Sequence, residues 1–150
     1  MRSVELTHHS PGVAARTAYE RVRDFARYPE LVDIVRRVEV RPADGMSDVL
    51  HSDWEVDFRN GALVWSEEDV FDDGAMTIAF RQTSGDFESF DGQWAVLPAG
   101  PHESGCQVRF EAAFDFGLAS LSAIIDPVAE RVLRETIATI LLALLDGQAR

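Results

Sequence analysis

Residues 63–71 read LVWSEEDVF, with three acids in succession, Glu67, Glu68 and Asp69. Carboxyl groups move protons: as anions they are general bases, and when burial raises their pKa they become general acids. The flanking residues have the composition of a strand, in which side chains alternate between faces. Glu67 and Asp69 then share one face with Leu63, Trp65 and Phe71, while Glu68 shares the other with Val64, Ser66 and Val70. Both faces carry apolar residues, so periodicity leaves open which one points inward. A buried unpaired carboxylate is costly, so an inward Glu68 needs a partner. Arg81 on the next strand is the natural one, although its opposition to Met76, Ile78 and Phe80 equally fits a solvated charge.

Other chemistry is sparse. His8, His9, His51 and His102 have no ligand spacing with Cys or carboxylates, and there is no HExxH, so no metal site is expected. Cys106 has no sequence-near His that reads as an activated pair, since His102 lies across a loop, and it reads as a buried or strand-edge thiol. No GxSxG, GxGxxG or P-loop pattern occurs, which removes serine hydrolases, dinucleotide enzymes and NTPases. All 14 basic residues are Arg, which excludes a Schiff-base lysine. No cofactor is expected.

The 150 residues suggest one domain spanning 1–150. A net charge of −12 argues against nucleic acid and against anionic membrane surfaces as partners. The single Cys fits a reducing cytoplasm. The opening MRSVELTHHSPG lacks the apolar core of a signal peptide, and no run of 18 apolar residues is present, so a cytoplasmic protein without a membrane span is expected.

The elements that must position these residues follow from periodicity. Residues 3–9 alternate as an edge strand, 13–26 have amphipathic helical spacing, and 29–35 read as a short helix with Pro29 at its first position and Tyr28 pushed out of the α region. Strands are expected over 36–42, 52–59, 62–71, 75–83, 87–97 and 106–116. They are separated by Ala43-Asp44-Gly45, Asn60-Gly61, Asp72-Asp73-Gly74, Ser84-Gly85-Asp86 and a loop over 98–105. Gly92 interrupts its strand as a bulge or close approach. From Leu118 to Leu145 the period becomes helical, with Asp126-Pro127 as an N-cap and first position, and with Val128, Val132, Ile137, Leu141 and Leu144 on one stripe. The result is an α+β chain whose antiparallel meander curls over one long helix, a geometry that commonly leaves a cavity between the two.

This order of elements resembles the helix-grip fold of the START-like superfamily, which includes polyketide aromatase/cyclases and coenzyme Q-binding proteins. The resemblance is carried by ARYPELVDIVRRVEV (26–40), SGDFESFDGQWAV (84–96) and CQVRFEAAFDF (106–116) followed by the long helix. It implies a curved sheet of about seven strands around a C-terminal helix and a hydrophobic internal cavity. By that analogy the cavity is lined by Tyr28, Trp54, Phe58, Val64, Ser66, Trp94, Phe110 and Phe114, with Ile137 and Leu141 from the helix. The register of the family places Glu68 inside, where many aromatase/cyclases carry an arginine, and Val35 where some carry a tyrosine. A carboxylate there cannot stabilise an enolate, but it can act as general base on a methylene between two carbonyls. The implied activity is that of a small cyclase or cyclase/dehydratase of secondary metabolism. Its substrate would be hydrophobic and polyketide-like, delivered by an acyl carrier protein, with Glu68 moving protons and Arg81, Ser66 and Tyr28 in support. The superfamily also contains non-catalytic carriers of quinones, lipids or pigments, and ribosome-associated proteins. A monomer or a homodimer is compatible with all of these.

Overall fold

The computed structural model describes residues 2–43, 45, 48–58, 61–100, 105–116 and 122–146. Strand β1 (Arg2–Ser10) leads into helix α1 (Ala15–Arg23), a 3-10 turn (Phe25–Arg27) and the single-turn helix α2 (Tyr28–Leu31). Six strands follow: β2 (Val35–Pro42), β3 (Val49–Phe58), β4 (Gly61–Asp72), β5 (Thr77–Gly85), β6 (Ser89–Pro98) and β7 (Cys106–Asp115). Helix α3 (Ser122–Leu141) and a closing π-helical turn (Leu142–Asp146) complete the chain.

All seven strands form one antiparallel sheet in the order β1-β7-β6-β5-β4-β3-β2. Five consecutive hairpins build the meander from β2 to β7, and β1 closes its far side by pairing with β7. The β3–β4 ladder runs to Phe58↔Gly61. The expected Asn-Gly turn therefore lies between paired ends, with Asn60 itself outside the described residues, as are Asp44 and the tip of the 98–105 loop.

The concave face of the sheet is apolar because the larger side chains of each strand fall on the same parity. Val4, Trp54, Val56, Leu63, Trp65, Ile78, Phe80, Trp94, Val96, Val108, Phe110 and Phe114 are all buried there. The amphipathic α1 adds Ala18, Tyr19 and Val22, and α3 adds Ala129, Leu133, Ile137, Ile140 and Leu141. Helix α3 packs against β1 and β7.

Two local features bend the sheet onto its helices. Opposite Ser66 and Glu67 the β4–β5 register slips by one residue, a bulge that leaves Thr83 without a partner. At Gly92, directly across from Phe80, a β-carbon would sit 2.1 Å from the Glu111 carbonyl oxygen and 2.8 Å from the Phe80 ring. Only a residue without a side chain lets these backbones close up and lets the Phe80 ring cross the strand.

Three boundaries differ from the sequence reading. Tyr28 is helical (φ −55°, ψ −43°) despite preceding Pro29, because its ring is entirely buried and its hydroxyl donates to the Val22 carbonyl. Tertiary packing there outweighs the local preference. Helix α2 stops at Leu31, since Val32 is already extended (φ −137°, ψ 114°). Helix α3 begins at Ser122, so Pro127 lies inside it and removes one backbone hydrogen bond of the second turn rather than marking the first.

Candidate functional site

The acids of β4 settle their own register. Leu63, Trp65, Glu67, Asp69 and Phe71 face the concave side; Val64, Ser66, Glu68 and Val70 face outward. The inward set contains a Trp, a Leu and a Phe, against two valines on the other face. Its larger apolar area decides the orientation and carries two carboxyls into the interior. Glu67 is 3% exposed and Asp69 is 0% exposed.

These carboxyls are held in a continuous polar chain that crosses β3 and β4. The Trp54 indole Nε1 donates to Ser52 Oγ at 2.8 Å, and Ser52 Oγ donates to Asp69 Oδ2 at 2.6 Å. On the other side, Trp65 Nε1 donates to Glu67 Oε1 at 2.7 Å. Glu67 and Asp69 face the same way two residues apart on β4, and each shifts the proton affinity of the other. Asp69 Oδ1 is buried and meets no N–H or O–H of any other residue. A buried acceptor of this kind is satisfied when a neighbouring carboxyl carries a proton.

The electrostatics follow from this arrangement. Burial lifts the Glu67 carboxyl well above the usual carboxylate range, and the hydrogen bond and charge of Asp69 lift it further, against the opposing Trp65 N–H. Burial also raises Asp69, while the bonds from Glu67 and Ser52 hold it down. Burial and mutual repulsion thus both favour keeping a proton on the pair.

Glu67 opens onto a narrow cavity of about 40 Å³ between the sheet and α3, room for one to three water molecules. Trp54, Val56, Trp65, Phe80, Phe90, Trp94 and Phe110 form its sheet wall, and Leu133, Thr136, Ile137 and Ile140 its helix wall. Trp54 and Trp65 are cross-strand partners whose rings stack with centroids 5.7 Å apart. Phe80 stacks on Phe110 at 5.7 Å, and Trp94 meets Phe110 edge-on at 4.8 Å. The wall is thus a set of interlocked aromatic rings interrupted by one carboxyl and, from α3, one hydroxyl.

Of the residues expected at this site, Trp54, Trp94, Phe110 and Ile137 line the cavity. Phe114 and Leu141 are fully buried but pack in the core beside it, and Phe58 is half-buried at the end of β3. Tyr28 lies in the helix corner against Phe25, Trp54 and Trp94 and does not line the cavity. Burial pushes its phenol well above the usual range, and Glu67, Asp24 and Asp69 add to the shift. The expectation of an inward Glu68 is overturned. Glu68 points outward and pairs with Arg81 across the outer face at 3.5 Å, with Arg81 65% exposed. Ser66 is on that same outer face, where its hydroxyl donates to Asp53 at 2.6 Å, and Val64 is 43% exposed. Glu67, Asp69, Trp65, Phe80, Phe90 and Thr136 were not expected at the site. The signal for Glu67 was its spacing of two from Trp65, which places an indole N–H and a carboxyl on one face.

Among the described residues no group of three or more His, Cys, Asp or Glu could hold a metal ion. No described helix is long and apolar enough to cross a membrane.

A seven-stranded antiparallel sheet curled over a long C-terminal helix, with two short helices after the first strand, defines a helix-grip protein of the START-like class. The chain belongs to the polyketide cyclase/dehydrase and lipid transport family, whose pattern matches residues 12–140. Solved structures agree on the fold. A Thermus thermophilus protein, TTHA0849, superposes with a TM-score of 0.84 at 20% identity, covering 97% of this chain and 95% of that one. The Zhui aromatase/cyclase of a Streptomyces species gives 0.79 at 16% identity over 97% and 92%. A START superfamily protein of Mycobacterium smegmatis gives 0.77 at 19% over 97% and 97%. No protein among those with curated functions matches the sequence significantly.

Proposed function

We propose that this protein is a small cyclase/dehydratase that folds a hydrophobic, polyketide-like substrate between sheet and α3 and promotes ring closure by proton transfer. The observation that carries this reading is the Glu67 carboxyl, the one acid in an otherwise aromatic cavity wall, backed by Asp69. Glu67 takes the role that the sequence reading gave to Glu68. With Asp69 it holds one exchangeable proton in a low-dielectric setting. The pair accepts a proton from a methylene flanked by two carbonyls. A carbon–carbon bond then forms to a third carbonyl, whose oxygen is protonated, and loss of that hydroxyl with a second methylene proton releases one water per ring. The protons that leave carbon end on oxygen, so no oxidant or reductant is consumed. The aromatic walls contribute the rest, by holding the chain in a reactive geometry and excluding water. Admission of a substrate requires α3 to part from the sheet, because the space in the closed form holds only water-sized groups.

The apolar character of the remaining lining supports a second reading, a carrier for a quinone, lipid or pigment. One experiment separates them. A linear poly-β-ketone is incubated with the protein and with Glu67→Gln, and the products are weighed by mass spectrometry. Loss of water from the substrate with the wild type, and none above background with the variant, is the expected result. Stoichiometric retention of unaltered substrate by both proteins would leave the carrier and sink the cyclase.

A further inference from the structure

The polar groups around the cavity are unequal in what they can still offer. The Trp54 and Trp65 N–H groups are committed to Ser52 and Glu67, and the Tyr28 hydroxyl to the Val22 carbonyl. Asp69 Oδ1 is buried and has no hydrogen-bond partner among the described residues, and Glu67, next along the same face of β4, is the neighbour whose burial favours holding a proton. A proton shared between them spends the Glu67 donor inward and leaves toward the cavity only oxygen lone pairs of the carboxyl pair. The Trp94 indole and the Thr136 hydroxyl, which make no hydrogen bond among the described residues, remain available to an acceptor elsewhere on a ligand.

We infer that the Glu67–Asp69 pair shares one proton through Asp69 Oδ1, and that the cavity seats a ring-bearing ligand by accepting a hydrogen bond from its phenolic or enolic hydroxyl on Glu67. Asp69 is then a positioning residue, which fixes where the shared proton sits and so which face of Glu67 meets the ligand. A hydroxyl is preferred over a bare carbonyl because a carbonyl brings a second acceptor to a group that has no donor left. A hydrogen bond in a dry, low-dielectric site is electrostatically stronger than the same bond in water. This inference deepens the functional reading above, since an enolised 1,3-dicarbonyl carries such a hydroxyl, but it concerns binding and needs no turnover.

The test uses single-ring probes, which ask for the least widening of the space. Phenol and toluene have nearly the same shape, with a hydroxyl in place of a methyl. Their affinities for the whole protein are measured by calorimetry or NMR titration. The ratio of phenol to toluene affinity is expected to fall about tenfold in Glu67→Leu, the worth of one hydrogen bond. It is expected to persist in Glu67→Gln, whose amide N–H replaces the shared proton and whose oxygen still accepts. It is also expected to persist in Thr136→Val, which keeps the assignment testable should the leucine variant not fold. Collapse of the ratio in Thr136→Val would put the hydroxyl on Thr136 and overturn the inference. So would equal affinity for phenol and toluene in the wild type, or no ring binding at all. A protein that prefers phenol through Glu67 and closes no ring would refute the cyclase while leaving this seat standing.

Discussion

Trp54 and Trp65 face each other across β3 and β4 with their ring planes 2° apart, and each indole N–H feeds one end of the same buried acid pair. Trp54 reaches Asp69 through Ser52, and Trp65 reaches Glu67 directly. The stacked rings thus supply at once the apolar wall and the donors that let two carboxyls reside behind it. Trp65→Phe keeps the ring and removes one donor. It should cost about 1–2 kcal/mol and shift Glu67 further upward, since the Trp65 N–H is the contact that opposes its rise. Chemical denaturation and a carboxyl NMR titration read the two effects separately.

Stability should depend on pH in a sense set by that pair. Burial raises the folded-state pKa of Glu67 above its ordinary 4.5. Above 4.5 and below the raised value the folded protein holds a proton that the unfolded chain has released. Stability then falls as pH rises through this window, by about 1.4 kcal/mol per pH unit for one proton. Asp69, also raised by burial, acts in the same sense. Asp53, lowered chiefly by its bond from Arg41, acts in the opposite one, giving stability that is lost below 3.8. The melting temperature should therefore be higher at pH 5 than at pH 8, and Glu67→Gln should flatten that slope. A wild-type protein equally stable at both values would refute the protonated pair.

Ser52 is fully buried and joins Trp54 to Asp69. Ser52→Ala leaves a buried indole N–H and a buried carboxylate oxygen without their partner, and should cost about 2–3 kcal/mol. A loss below about 0.5 kcal/mol in urea unfolding would mean that the chain is not formed.

On the outer face the expectation is the reverse. Glu68→Ala and Arg81→Ala each break one exposed ion pair, and should change stability by about 0.5 kcal/mol or less with no effect on ligand binding or turnover. Any turnover lost in Glu68→Ala but retained in Glu67→Gln would reverse the assignment between these neighbours.

Gly92→Ala would place a β-carbon against the Glu111 carbonyl and the Phe80 ring. The obstacle is backbone, which cannot swing aside, so the variant should lose about 3 kcal/mol or more. Its aromatic near-UV circular dichroism should change with the displaced Phe80. Gly61→Ala at the start of β4, with no closer neighbour than 3.9 Å, is the control.

The strand alternation, the hairpin punctuation and the change of period near residue 118 were enough to read the order of elements, and the helix-grip class came from the resemblance of that order to a known family. Four of the ten expected cavity side chains, Trp54, Trp94, Phe110 and Ile137, line the cavity. Facing was harder. Along β4 both faces are apolar at three positions, and a strand shifted by one residue exchanges every side chain. The register taken from the family put one acid, Glu68, inside, whereas the bulk of Leu63, Trp65 and Phe71 turns the other parity inward and buries Glu67 and Asp69. The helix boundaries were missed for a related reason. Tyr28 and Pro127 occupy backbone states that local preference disfavours and that only burial and helix context decide.

The pairing of β1 with β7 has a consequence for how the chain reaches its native state. Val4 finds its partner at Ala112, roughly a hundred residues further along, so the first strand synthesised waits for the last one. The meander from β2 to β7 can zip by successive local hairpins, whereas docking β1 must close nearly the whole chain into one loop, a slow step for a sheet dominated by distant contacts. During synthesis the edge of β7 and the apolar side of β1 are both left uncovered, and these are the surfaces on which a chaperone would act and from which aggregation would start.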